Sequence, residues 1–287
     1  MPVSAGRPAG ASDVHIHVQP GSSVAPDILA LLLEGRADAE AIRRYPDDPQ
    51  LLLAAMDRLG LRRAGLIAYA SSLIGSSEEL NDWVCDYAAG DPQRLLPFVG
   101  PEIGRGDPSP RIRELAARGA RGLKIHPPHS GIPPNIHLAQ ADHPLARLYA
   151  TAQKLRLPVA VHTGTSVFAG ARSRLGDPLL LDDVAVDFPE LTLIAAHCGR
   201  PLWYDAAVFL ARRHANVYLD VSSIPARRLT AVLPRLSQIA HKVLYGSDWP
   251  GPGVPTLEEC LDAFWACDLP PEAKRRILVD NAEMLFG

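Results

Sequence analysis

What most constrains this chain is an alternation. Eight short apolar segments, at 13–18, 63–69, 95–101, 119–126, 157–162, 191–197, 215–221 and 241–246, are separated by stretches with helical periodicity. The helical patterns fall at 50–59, 78–89, 111–118, 144–154, 177–187, 202–213, 226–239, 257–266 and 272–285. Several apolar segments, such as V-A-V and L-I-A-A, are near-continuous runs, as parallel strands buried on both faces require. Eight strand–helix units in 287 residues predict an α/β fold, a (β/α)8 TIM-like barrel in a single domain. An open doubly wound sheet would more often carry a glycine-rich phosphate turn after its first strand, and V-Q-P-G-S-S is not one. The expected domain spans residues 12–287, with residues 1–11 as a flexible N-terminal tail.

In such a barrel the chemistry sits at the C-terminal ends of the strands. The first segment reads S-D-V-H-I-H-V. A period of two puts Asp13, His15 and His17 on one face and Val14, Ile16 and Val18 on the other. The fourth ends G-L-K-I-H-P-P, with Lys124 and His126 sharing a face. The fifth ends at His162, the sixth at His197 in A-A-H-C-G-R-P, and the eighth at Asp248 in Y-G-S-D-W-P. Five of the ten histidines thus gather at one predicted rim. Imidazoles with a carboxylate suit Zn²⁺, with Mn²⁺ or Fe²⁺ as alternatives. An open coordination position would lower the pKa of a bound water toward ~7. His197 and Asp248 are then placed to act as base or proton shuttle.

Taken together, these residues resemble the amidohydrolase superfamily. The likeness rests on H-x-H on strand one, His after strands five and six, and Asp after strand eight, in that order. The phrases G-L-K-I-H-P-P, D-F-P-E-L, A-H-C-G-R-P and Y-G-S-D-W-P resemble its amidohydrolase-related branch. That branch includes aminocarboxymuconate-semialdehyde decarboxylase, γ-resorcylate decarboxylase and pyrone-dicarboxylate lactonase. The resemblance implies one divalent metal held by His15, His17, His162 and Asp248, with His197 off the metal. In binuclear relatives a strand-four lysine is carboxylated and bridges two metals, whereas lactonase relatives work without one. In the branch resembled here, Lys124 more often contacts substrate or supports the site.

The implied activity is a metal-dependent hydrolase of a small carboxylate-bearing molecule. The alternative is a non-oxidative decarboxylase of an aromatic or unsaturated acid at the same site. A non-catalytic barrel would have lost the ligands, and all are present. The βα loops set specificity. The fourth carries His129 and His137. The fifth carries Arg172 and Arg174, either of which could clamp a substrate carboxylate or serve as a solvated or capping group. Phe168, Trp203 and Trp249 are candidates for an aromatic wall. The expected substrate contacts are Lys124, His126, Arg172, Arg174 and Trp249. Cys198 is expected in the core.

A net charge of −3 with short basic runs gives no reason to expect nucleic acid or an anionic membrane as partner. No apolar run approaches the ~18 residues of a membrane span, and the N-terminus has no signal-peptide core. Four cysteines without a C-x-x-C pair fit a reducing compartment. A cytoplasmic protein is expected, with a small-molecule substrate and a homodimeric assembly.

Overall fold

A computed structural model describes residues 9–103 and 106–287. Eight strands run parallel in chain order: β1 (Ala11–Ile16), β2 (Leu61–Ile67), β3 (Leu95–Val99), β4 (Gly122–Ile125), β5 (Val159–His162), β6 (Leu193–Ala196), β7 (Val217–Asp220) and β8 (Val243–Leu244). Each falls within or beside a segment expected to be a strand, and the fold is a (β/α)8 barrel. Most of the expected tail lies outside the described residues, but Ala11 is buried and pairs with Leu61. The ring closes between the last strand and the first. Val14 N–H donates to Tyr245 O (2.9 Å), Asp248 N–H to His15 O (2.8 Å) and His17 N–H to Trp249 O (2.6 Å).

Inside the barrel, the lower half is filled by Val14, Ile67, Leu96, Phe98, Ile194 and Leu244. The C-terminal helical segment, Pro271–Arg275 through Asn281–Phe286, closes the bottom by sending Ala282 and Phe286 into that cluster. A larger apolar layer lies between the strands and the surrounding helices, where Cys198 is also buried. All four cysteines are free thiols. No helix among the described residues is long and apolar enough to cross a membrane.

The first strand departs from the expected alternation. Its pairing with β2 shifts register between Asp13 and Ile16. Val14 joins the interior cluster, and so the strand does not keep it opposite His15. His15 also points inward, where its ring meets Asp220, while Ile16 packs in the outer layer. This is a β-bulge, with two successive side chains on one face. Asp13 holds it: one carboxylate oxygen accepts from the amides of His15 (3.1 Å) and Ser247 (3.0 Å). Asp13 therefore bridges β1 to the loop after β8 instead of sharing a face with the imidazoles. Its complete burial pushes its pKa up to about 7.

The connection from β1 to β2 is more structured than the sequence suggested. It contains α1 (Pro26–Leu33) and α2 (Ala39–Arg44), which stand over the C-terminal mouth of the barrel. The chain ahead of α1 is tied down by Ala25 N–H donating to Ile74 O (2.9 Å). Arg36, after it, donates to Val254 O (2.5 Å) and pairs with Asp38 at 2.8 Å.

Candidate active site and metal centre

The strand ends converge on a cavity of about 400 Å³ at the barrel mouth. Its floor is built from the strand ends and the turns that follow them: His17 after β1, Tyr69 after β2, Lys124 on β4 with His126 next to it, His162 at the end of β5, His197 and Arg200 after β6, and Ser223 and Asp248 after β7 and β8. Three of these turns hold non-glycine residues in the left-handed region: His197 (φ 66°), Ser223 (φ 59°) and Asp248 (φ 69°). Such backbone costs roughly 1–3 kcal/mol per residue and concentrates where side chains must be aimed. Gly246 is needed for close approach, because a Cβ there would lie 2.7 Å from the Cβ of His15 and 2.6 Å from an Asp220 carboxylate oxygen.

Asp220 organises two imidazoles. Its carboxylate is 2.6 Å from His15 Nδ1 and accepts the Ser222 hydroxyl proton at 2.8 Å. A carboxylate only accepts, so His15 Nδ1 carries the proton. With its own proton committed, the Ser222 oxygen accepts from His197 Nδ1 at 2.9 Å. Burial pulls the pKa of His15 down and that of His197 far down, which disfavours the charged form of both rings. His15 Nε2 is therefore a lone-pair donor, oriented from behind as metal-ligating histidines are.

Asp248 is the convergence point. Its Oδ1 lies 3.3 Å from His15 Nε2 and 3.3 Å from His17 Nε2. Its Oδ2 accepts from the Ser223 hydroxyl and lies 3.6 Å from Arg200 Nη2 and 4.0 Å from His197 Nδ1. Burial opposes its ionisation, yet His197, His17 and His15 hold its pKa well below the usual carboxylate range. His15 Nε2 and Asp248 Oδ1 are both acceptors, so a cation belongs between them. His15, His197 and Asp248 present donor atoms within 4.8 Å of one another, a grouping that fits a divalent metal ion. Lys124 is the nearby alternative cation. Its ammonium lies 3.3 Å from His15 Nε2, and burial pulls its pKa down to about 8.

His162 stands slightly apart from this group. Its Nε2 is 3.3 Å from Thr165 O, and its ring stacks on His126 at 3.8 Å. His126 stacks in turn on His129 at 3.5 Å, and its Nδ1 is buried without a hydrogen-bond partner. His129 bonds Ser166 at 3.0 Å, and burial pulls its pKa down to about 4.

Three expected substrate contacts are placed elsewhere. Trp249 is 1% exposed, and its indole N–H donates to Asp38 at 2.6 Å while the ring packs on Tyr45. It fastens the first loop to the barrel and does not line the cavity. Arg172 and Arg174 are exposed and also lie off the cavity lining. The arginine that does line it beside Asp248 is Arg200, in the A-H-C-G-R-P phrase. Asp220, Ser222, Ser223 and Tyr69 were not anticipated either. V-Y-L-D at the end of the seventh apolar segment carried the signal for Asp220, since a carboxylate stood at the same rim as the histidines.

Comparison with known proteins agrees with this architecture. The family described as Amidohydrolase matches residues 12–287. The 4-sulfomuconolactone hydrolase of Rhizobium radiobacter is 27% identical over 306 aligned positions, covering 100% of this chain and 93% of its own. An uncharacterized TIM-barrel protein from Bordetella bronchiseptica superposes with a TM-score of 0.74 at 23% identity, over 96% of this chain and 98% of that one. The 5-carboxyvanillate decarboxylase of Novosphingobium aromaticivorans, complexed with manganese and 4-hydroxy-3-methoxy-5-nitrobenzoic acid, gives 0.62 at 16% identity, over 99% and 98%.

Proposed function

Because the chain belongs to the amidohydrolase family, we propose that it hydrolyses a small lactone or ester that carries an anionic group. The observation that carries this reading is the Asp248 carboxylate. It is held ionised at the cavity floor, within 3.3 Å of two imidazole nitrogens and 3.6 Å of Arg200, with the Lys124 ammonium beside His15. The full-length similarity to a lactone hydrolase favours a cyclic ester.

His15, His17 and Asp248 would hold a divalent ion, Zn²⁺ first and Mn²⁺ or Fe²⁺ as alternatives. The fourth ligand is His162, as the family resemblance implies, or His197, as the grouping with His15 and Asp248 favours. When bound, such an ion supplies Lewis-acid polarisation of a carbonyl and a more acidic water. The protein's own groups do the rest. Asp248, which lines the cavity, accepts the proton of the attacking water. Arg200 and the Lys124 ammonium neutralise the substrate's anionic group. His126, stacked on both His129 and His162, belongs to the polar lining that faces the substrate.

The test is turnover of a panel of carboxylated lactones and esters, with Zn²⁺ or Mn²⁺ supplied, in ¹⁸O-labelled water. One labelled oxygen in the ring-opened acid supports hydrolysis. Loss of CO₂ without label would transfer the site to decarboxylation. Metal content of His162→Ala and His197→Ala tells the two fourth ligands apart.

A further inference from the structure

The cavity has two unlike ends. The floor is cationic and polar. The opposite wall is aliphatic: Val24, Ile28, Leu29 and Leu32 in the first loop, Ile42 on α2, and Ile74 from the loop after β2. Arg43 stands at the exposed rim of this end.

α1 makes the wall unusual. Its sequence is P-D-I-L-A-L-L-L, and none of its eight residues is buried. Leu31 is 41% exposed on its outer side. A leucine or isoleucine gains about 1.5–3 kcal/mol when fully buried, so a helix this apolar is ordinarily sunk into a core. Here its inner side chains, Ile28, Leu29 and Leu32, face the cavity. The wall is also fixed in place. Ala25 is bonded to Ile74, Arg36 to Val254, and Asp38 to Trp249. Aliphatic surface held open a short distance from a cationic floor matches a ligand with the same two-ended character.

We infer that the substrate is amphipathic: a single anionic head, bound at Arg200 and Lys124, with an aliphatic tail that lies against α1 and Ile42. This rests on the hydrolytic reading only in placing the head at the catalytic floor. It separates this cavity from one built for a compact dianion, for which the apolar wall would have no use.

The test is binding of non-hydrolysable probes, so it does not depend on turnover. Butanoate, pentanoate, hexanoate, heptanoate and octanoate are titrated into the protein by calorimetry, with and without Zn²⁺. Affinity is expected to rise about fourfold per added methylene, the worth of a buried CH₂, until the tail fills the cavity. Leu29→Asn with Leu32→Ser should flatten that dependence. Neither position is buried, so the fold should tolerate the change. Leu29→Trp serves as an independent check, and should lower the chain length at which affinity levels off. Affinity independent of chain length, or malonate and succinate binding more tightly than the longer monoanions, would overturn the inference. Chain-length dependence without any lactone or ester turnover would leave it standing and remove the hydrolytic reading. Turnover without chain-length dependence would do the reverse.

Discussion

The two halves of the barrel interior are built on the same strands and do opposite things. Below, Val14, Leu96, Phe98, Ile194 and Leu244 form a dry plug sealed by Phe286. Above, one to four residues further along the chain, stand His15, Lys124, His162, Asp220 and Asp248, all 8% exposed or less. On β5 the change is from Ala160 to His162, on β7 from Tyr218 to Asp220, and on β8 from Leu244 to Asp248 beyond Gly246. Burying polar groups is tolerable only when they are paired. The upper layer therefore uses stability that the lower layer provides, and His126, whose Nδ1 is buried without a partner, is among the residues that line its cavity.

This contrast can be broken from either side. The largest effect is expected in the upper layer. Asp248→Asn should lower kcat by about 10²–10⁴-fold, the usual worth of a positioned base, with Tm unchanged or raised, since function-driven strain is relieved. Rates and thermal melts on the same preparation check this. A variant that keeps its rate would remove Asp248 from the chemistry. In the lower layer, Phe98→Ala should cost about 3–5 kcal/mol in denaturant unfolding and leave kcat per folded molecule near the parent value. Equal losses in both would mean the halves are not separable.

A smaller effect sharpens the comparison at the boundary. Asp220→Asn keeps the shape but weakens the acceptor behind His15 and Ser222. Metal affinity should fall about 10–100-fold, as it does when such supporting partners are lost, and a competitive chelator titration reads it. If metal affinity holds while stability drops, Asp220 is a packing element and not an orienting one.

The smallest effect is a pH slope. Burial pulls the folded pKa of His129 to about 4, below its ordinary 6.5. Between those values the unfolded chain binds the proton and the folded chain does not. Stability should therefore fall as pH drops from 6.5 to 4 and stop responding to this group below 4. His129→Gln should make that fall shallower by about one proton's worth in urea titrations across the window. An identical slope in the variant would assign the acid sensitivity to other groups.

Much of this was legible in the sequence. The strand segments were found because fully buried parallel strands leave unbroken apolar runs. His15, His17, His162, His197 and Asp248 were singled out because they stand in or just after those runs, and the fold gathers them at one mouth. The bulge at Val14–His15 was not, since it arises from closing β8 onto β1, and no local pattern encodes that contact. Trp249 was misplaced for a related reason. It follows Asp248, but a φ of 69° at Asp248 turns the chain, and the indole meets Asp38 of a distant loop. Arg172 and Arg174 lie in a long loop whose path the sequence does not specify, whereas Arg200 is aimed by the short turn after β6. α1 escaped notice because eight residues of almost uniform apolarity show no periodicity.

The seam between β8 and β1 has a consequence for biosynthesis. Asp13 and Ser247, which clasp it, are 234 positions apart, and His15 meets Asp248 across the same join. All eight strands must be translated before these partners can meet. A nascent chain that stops short of Asp248 holds the histidines and Asp220 but lacks the carboxylate that faces His15 Nε2 and His17 Nε2. Catalytic competence therefore arrives only with ring closure, and products interrupted before Asp248 should be inert.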